Sequence, residues 1–276
     1  MKKPIILETR IVVLLAATIA IMIAIAACKK TPTTPAPVAQ SITMSSTSDM
    51  YYIGNSETFS ATVTMSDGTT KAVVGGTWST DTPSVATVNS SGLVTIVGSG
   101  NVTVIVQYQG LQGSKLIRGL PNYQGTWSGS YYIVSCSGSG YFKNECASFP
   151  VNQVFPTNLN LIQDRDRVTG KFYLGTLSAD ASGPVQMDGV LLLTGKILYD
   201  IFTLDVSWRM QSATPGKITG SMSWLWLAAG RSGDMRISCN IRDLNRTSTV
   251  GMSMGPGALR VSNPTIQSII RAMIEP

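Results

Sequence analysis

The sequence predicts an all-β protein: a β-sandwich followed by a second antiparallel β-domain, a small barrel or a sandwich, with a short C-terminal helix. Two observations lead to this prediction. Apolar residues alternate with polar ones in many short segments, as they do in half-buried strands, and glycine-containing turns separate these segments. Only the last residues show a helical period. The length of 276 residues allows about one to two domains.

Composition excludes several function classes. The chain has no histidine, which removes Ser-His-Asp and Cys-His nucleophile systems and histidine-ligated metals. Charged residues make up 13% of the chain and the formal net charge is +6, so neither a disordered chain nor a nucleic-acid partner is expected. We expect no cofactor, no metal and no catalytic residue.

The first residues indicate a targeting segment. Lys2 and Lys3 are followed, after Arg10, by 17 uncharged residues, 11–27, and then by Cys28. The run 25–28 (IAAC) resembles the lipobox of bacterial lipoprotein signal peptides. That resemblance implies cleavage after residue 27, lipidation of Cys28 and a membrane partner through this lipid anchor. The alternative is an uncleaved transmembrane helix, although 17 residues is at the short end of the usual range of about 17–25.

Residues 28–40 are expected to carry the lipid and to form a Pro/Thr-rich tether. Lys29 follows the cysteine, at a position where many lipoproteins retained in the inner membrane carry aspartate. The resemblance therefore favours the bacterial cell envelope, more specifically the outer membrane, with the chain on its periplasmic or surface-exposed side.

The first module, residues 41–119, is predicted to be a β-sandwich. In one segment Phe59, Ala61 and Val63 alternate with polar residues, and 67–68 (DG) then forms a hairpin turn. The segment 102–106 alternates in the same way. Several short strands with no helical period favour two packed antiparallel sheets.

Three motifs of this module have a recognisable order. They are 77–80 (TWST), 83–88 (PSVATV) and 91–95 (SGLVT). Together they resemble the bacterial immunoglobulin-like group 2 domain, over residues 41–119. The resemblance implies extracytoplasmic display and structural roles, with Trp78 packed in a core that lacks a disulfide.

The second module, residues 120–250, is predicted to be an antiparallel meander, closed as a small barrel or folded as a sandwich. Seven candidate strands alternate in polarity, and they cover 127–134, 159–161, 168–174, 185–193, 202–210, 218–226 and 235–242. The motif 125–127 (GTW) resembles the Gly-x-Trp that opens lipocalin-like barrels, which implies a small apolar ligand. The alternative is that the tryptophans of this module only fill a core; they are Trp127, Trp208, Trp224 and Trp226.

Three cysteines remain once Cys28 is lipidated. Cys136 and Cys146 flank a polar Gly/Ser loop and are predicted to form a disulfide, because disulfides persist outside the cytoplasm. Cys239 lies on the apolar side of its strand and is expected to be a buried thiol. A Cys136–Cys239 bond is the rival pairing.

The tail, residues 251–276, is predicted to end in a short helix. Asn263 and Pro264 suit a helix start, and an apolar stripe follows at helical spacing. We expect this helix to cap the second module; a membrane or partner helix is the alternative. The segment 251–255 (GMSMG) matches the Gly-x-Ser-x-Gly nucleophile motif, but Pro256 and the absence of histidine make this a chance match.

Two further sets of residues are candidates for chemistry. Asp164 and Asp166 are candidates for paired carboxylates, but a charged hairpin tip is the preferred interpretation. Tyr131 or Tyr132, if exposed, would offer a ring for stacking on a glycan. Three function classes follow: a non-catalytic envelope lipoprotein for adhesion, binding or structure, which we favour; a protein that binds a small apolar ligand or a glycan; and a hydrolase without histidine. Glycan or protein at the cell surface is the expected partner.

Overall fold

A computed structural model describes residues 35–175 and 177–249. The predicted signal peptide, Cys28, most of the tether and the predicted C-terminal helix lie outside these residues. In the described part, β-strands dominate, as the fold class predicted. None of the helices found there is both long enough and apolar enough to span a membrane.

The described part of the first module contains three small sheets that form a sandwich. Its strands are β1 (Ala39–Ser45), β2 (Met50–Tyr52), β3 (Ser56–Thr58), β4 (Ser60–Met65), β5 (Thr70–Ala72), β6 (Thr77–Thr80), β7 (Ala86–Val88), β8 (Leu93–Ile96), β9 (Gly100–Tyr108) and β10 (Leu111–Leu120). The strand orders are β1-β4-β5, β2-β10-β9-β6 and β3-β8-β7. Strand β2 runs parallel to β10, whereas the other neighbours are antiparallel. The predicted sandwich is confirmed.

The core of the sandwich follows the alternation in the sequence. On β9, Val102, Val104 and Val106 are at most 1% exposed, while the residues between them face outward. Trp78 is only half-buried and packs against the edge of this core. Gly92 has a φ of +81°, and a Cβ at this position would lie 2.9 Å from the Trp78 ring. The turn before β8 therefore requires glycine.

In the described residues of the second module, eight strands form a closed barrel. They are β11 (Gly125–Gly138), β12 (Val154–Asp164), β13 (Arg167–Leu174), β14 (Leu177–Pro184), β15 (Leu191–Tyr199), β16 (Phe202–Thr214), β17 (Lys217–Ala228) and β18 (Met235–Ser248). Each strand is antiparallel to the next, and β18 pairs with β11 to close the barrel. The choice between barrel and sandwich is thereby settled in favour of the barrel.

One predicted strand of this module was wrong and another was missed. The prediction placed a strand at 185–193, but β15 runs from Leu191 to Tyr199, and Val185 makes only an isolated bridge to Leu191. The sequence of β14 is LSADASGP, in which Ala181 is the buried hydrophobic residue. Strand β14 was missed because it carries no row of large apolar residues.

Candidate functional site

Side chains of the barrel fill its interior. The four tryptophans of the module are at most 3% exposed and belong to one continuous apolar cluster. On β16, the alternation places Leu204, Val206 and Trp208 inside and the polar residues between them outside. The structure therefore agrees with the interpretation of the tryptophans as core residues rather than as the walls of an open apolar cavity.

Tyr123 closes the end of the barrel that faces the first module. Its hydroxyl donates to the carbonyl oxygen of Gly189 at 2.7 Å and accepts from the backbone N–H of Ser212 at 3.2 Å. Its backbone N–H donates to Oε1 of Gln163 at 2.6 Å, and its carbonyl accepts from the indole of Trp127 at 2.8 Å. Burial raises the pKa of Tyr123 to about 12.

The opposite end of the barrel is closed by residues 139–153, which we call the distal cap. Within this segment, which the structure describes completely, the only regular elements are two short 3-10 turns, Gly140–Phe142 and Glu145–Ser148. Phe142 and Phe149 are 0% and 1% exposed. The loop was expected to be polar; instead, these two rings anchor it in the mouth of the barrel.

A disulfide between Cys136 and Cys146 ties the distal cap to the end of β11. The two Cα atoms are 5.6 Å apart. This is the pairing that the sequence analysis preferred over Cys136–Cys239. Cys239 is a buried free thiol, and burial raises its pKa to about 12. A thiol that stays protonated is a poor nucleophile.

The tip of the β12–β13 hairpin lies against the first module. Asp166 Oδ2 is 3.2 Å from Nη1 of Arg118, on β10. Arg165 pairs with Asp49 at 2.6 Å, and the hydroxyl of Tyr52 donates to a backbone carbonyl of the hairpin at 3.4 Å. Asp166 therefore belongs to an ion pair between the modules and lies in a hairpin tip, as in the preferred interpretation.

The remaining candidate residues do not form a chemical site. Tyr131 is fully buried, so its proposed role as an exposed sugar platform is wrong. Tyr132 is half-buried, and its hydroxyl accepts from Nδ2 of Asn240 at 3.2 Å. The described residues contain no group of three or more acidic or cysteine side chains able to hold a metal. The motif at 251–255 lies outside the described residues.

A groove of about 380 Å³ crosses the outer face of the barrel. Hydroxyl side chains lie opposite one another along it, on four adjacent strands; they are Thr194, Ser207, Ser223 and Ser238. Arg209 and Asn240 also line the groove. Within the described part of the chain, Arg209 has no acidic partner.

Sequence reasoning missed the residues that close and join the modules. Arg118, Tyr123 and Gln163 lie at a strand end, in the connection between the modules and in a hairpin, where local periodicity carries no signal. Phe142 and Phe149, in contrast, did carry a signal in the sequence. Two phenylalanines in a short loop beside a cysteine pair indicate buried anchors, because such rings are seldom left in water.

The comparisons with known proteins support the assignment of the first module. Residues 38–115 match the family model of the bacterial Ig-like domain (group 2). Among solved structures, domains 5-6 of the S-layer protein SbsC align with 73% of this chain and 97% of that chain, at 14% sequence identity and a TM-score of 0.28. A similarity this low carries no inference about function. No curated protein matches the sequence.

Proposed function

We propose that this chain, whose first module is a bacterial Ig-like domain (group 2), is a non-catalytic lipoprotein of the bacterial cell envelope that displays a β-barrel for adhesion, binding or a structural role. The observation that carries the proposal is that side chains of each module fill its own interior. A protein built in this way acts through its outer surfaces and through the arrangement of its modules.

The anchor is the sequence-based part of the proposal. Cys28 at the end of an uncharged run is the expected acceptor of the lipid, and residues 28–40 form the tether that separates the lipid from the folded part. An acyl chain contributes about 0.8 kcal/mol of membrane affinity for each buried methylene. Delivery to the outer membrane is proposed from the lysine at position 29.

The contacts between the modules support a display function. Arg118 contributes two of these contacts, the ion pair with Asp166 and a hydrogen bond from Nη2 to the carbonyl of Val185 at 2.8 Å. The Arg118 side chain is only 12% exposed, so water screens its charge poorly. Both modules lie in one compact unit that begins at Ala39. The Ig-like domain would thus hold the barrel in a defined orientation.

The groups available for catalysis also favour a non-catalytic role. The sequence has no histidine base. The Cys239 thiol is buried with a raised pKa, and Asp166 is paired with Arg118. None of these residues combines exposure with an activating neighbour.

Cell fractionation tests the proposal. The wild-type chain is expected in the membrane fraction, whereas Cys28→Ser is expected as an unprocessed, unlipidated precursor. Cys239→Ser is the matched control, because it removes one thiol and keeps the anchor site. Lipid labelling of Cys28→Ser equal to that of the wild type would overturn the proposal.

The outer groove favours a second candidate function, the binding of a glycan. Its hydroxyl side chains, Asn240 and Arg209 offer both donors and acceptors to sugar hydroxyl groups. A screen of purified cell-surface glycans tests this function on the wild type and on Ser207→Val, which makes the floor of the groove apolar. The control variant is Lys71→Gln, on β5 of the other module. Glycan binding that is weakened by Ser207→Val and unchanged by Lys71→Gln would support this function. Equal binding by both variants would exclude the groove.

A further inference from the structure

Three hydrogen-bond donors inside the barrel lack an acceptor in the part of the chain that the structure describes. They are the hydroxyl of Tyr131 and the indole N–H groups of Trp224 and Trp226. The three side chains are at most 2% exposed. Buried donors are almost always paired, so three close together along the strands require an explanation. Burial raises the pKa of Tyr131 well above its usual 10.0, which keeps its hydroxyl a donor at any physiological pH.

The donors belong to an aromatic layer below the distal cap. The Tyr131 ring lies 5.6 Å from Phe155 and 5.5 Å, edge-on, from Trp224. The Trp226 ring lies 6.5 Å from Phe202. We call these five residues the distal layer. Its rings supply flat apolar walls, and its unpaired groups supply donors alone.

Two rings of the distal cap cover this layer. The Phe149 ring is 6.1 Å from Trp224, and the Phe142 ring is 6.3 Å from Phe202. Neither ring can accept a conventional hydrogen bond from the donors, since a phenyl side chain has no oxygen or nitrogen. The two cap rings that contact the distal layer therefore offer a flat apolar shape but no acceptor.

The distal cap is not part of the barrel wall. The eight described strands close the barrel by pairing β18 with β11, without a contribution from residues 139–153. Backbone bonds attach the cap at its two ends, for example from Tyr141 N–H to the carbonyl of Ser232 and from Asn152 N–H to that of Ile133, each at 2.8 Å. Movement of the cap out of the mouth would keep the strand pairs of the barrel, but it would break these backbone bonds, and the Cys136–Cys146 disulfide limits its extent.

We propose that the distal layer is a binding site for a neutral aromatic molecule bearing a carbonyl oxygen, and that Phe142 and Phe149 occupy this site when it is empty. The aromatic part of the ligand replaces a phenyl ring of the cap, and the carbonyl, which has two lone pairs, accepts from up to two of the unpaired donors. The ligand is neutral because no charged residue of the described chain is buried, so that an ionised group would lack a counter-ion. This inference goes beyond the proposed display function and does not depend on the anchor.

Two isosteric probes test the site, acetophenone and α-methylstyrene, in which a carbonyl oxygen is exchanged for a methylene group. The affinities of the two probes are measured by tryptophan fluorescence and calorimetry. The protein is the full chain with the double substitution Cys136→Ser/Cys146→Ser, which releases the cap. We expect this variant to bind acetophenone about tenfold more tightly than α-methylstyrene, because only the ketone pairs with the donors. Tyr131→Phe, which keeps the ring and removes the hydroxyl, is expected to reduce this ratio.

A second pair of variants keeps the proposal testable if the double serine variant does not fold. Phe149→Ala opens the space beside Trp224 and retains the disulfide. Phe172→Ala opens a space of the same kind beside Trp208, whose ring is 4.6 Å away and whose indole N–H is not among the unpaired donors. The site is supported if Phe149→Ala binds acetophenone more tightly than α-methylstyrene and Phe172→Ala does not. Equal binding of both probes by Phe149→Ala, or binding of neither, overturns it and leaves buried water as the partner of the donors.

Discussion

Arg118 Nη1 lies 3.2 Å from Asp166 Oδ2, and this ion pair joins the last strand of the first module to a hairpin tip of the barrel. The same guanidinium donates to the carbonyl of Val185. The Arg118 side chain is 12% exposed and that of Asp166 is 44% exposed, so the arginine carries the buried part of the pair. The junction therefore depends more on Arg118 than on its partner.

Substitution of Arg118 is expected to weaken the junction. Arg118→Gln should lower the free energy of unfolding by about 1–3 kcal/mol, because it removes a partly buried charge-assisted hydrogen bond from each of two acceptors. Arg165→Gln is the matched control. Its ion pair with Asp49 has side chains that are 54% and 60% exposed, and it should contribute less than about 1 kcal/mol. Equal losses in denaturant titrations of the two variants would contradict the assigned role of Arg118.

The turn before β8 offers a test of the sandwich core. Gly92 and Gly68 have φ angles of +81° and +80°, but only at Gly92 would a Cβ meet other atoms, at 2.9 Å from the Phe59 carbonyl and from the Trp78 ring. Gly68→Ala should cost about 1–2 kcal/mol for the left-handed backbone alone. Gly92→Ala should cost a further 1–3 kcal/mol, roughly, for the clash. Chemical denaturation measures both, and an equal cost would show that the turn relaxes freely.

The disulfide is expected to stabilise the chain by restricting the unfolded state. Cys136 and Cys146 lie 10 positions apart in the sequence. Their replacement by serine should lower the free energy of unfolding by about 2–3 kcal/mol. Mass mapping of the unreduced protein should yield a Cys136–Cys146 peptide, and alkylation of Cys239 should be slow in the folded state. A peptide that contains Cys239 in a disulfide would contradict the pairing.

Stability is expected to fall at alkaline pH. Burial raises the pKa of Cys239 from 9.0 and that of Tyr123 from 10.0, each to about 12. The unfolded chain therefore loses these protons at lower pH than the folded chain, and rising pH favours unfolding. The free energy of unfolding should decrease from pH 9 towards pH 12 for these two groups.

Tyr123→Phe removes the phenol hydroxyl of Tyr123 and so measures how much this group contributes to the loss of stability at alkaline pH. Its pH dependence should be shallower than that of the wild type between pH 10 and pH 12, while its stability at pH 7 falls because the bonds to Gly189 and Ser212 are lost. Unfolding titrations at several pH values measure both effects. An unchanged slope would mean that ionisation of Tyr123 does not contribute to the loss of stability at alkaline pH.

Local patterns predicted the strands well where large apolar residues alternate, as in β16, β17 and β18. These patterns did not decide between a barrel and a sandwich, because closure of the barrel depends on the pairing of β18 with β11. This pairing joins residues that lie far apart in the sequence, such as Ile133 and Cys239. Strand β14 was missed because it has no alternation of large apolar residues. Its pairing with β13 holds it in the wall although it buries little apolar surface of its own.

The candidate site was predicted less completely than the fold. The cysteine pairing could be proposed from spacing and compartment, whereas the burial of Tyr131 depends on which face of β11 points inward. Adjacent tyrosines on a strand lie on opposite faces, and the sequence alone does not show which face is covered. The contacts of Arg118 depend on the packing of two modules, which no local pattern encodes.

Whether the chain is displayed from a lipid anchor can be read from the mass of the intact protein extracted from membranes. We expect a mature chain that begins at Cys28 and carries the additional mass of acyl groups on that residue. The same chain should contain the Cys136–Cys146 disulfide. A chain that still begins at Met1, or one that begins at Cys28 without added mass, would contradict the account.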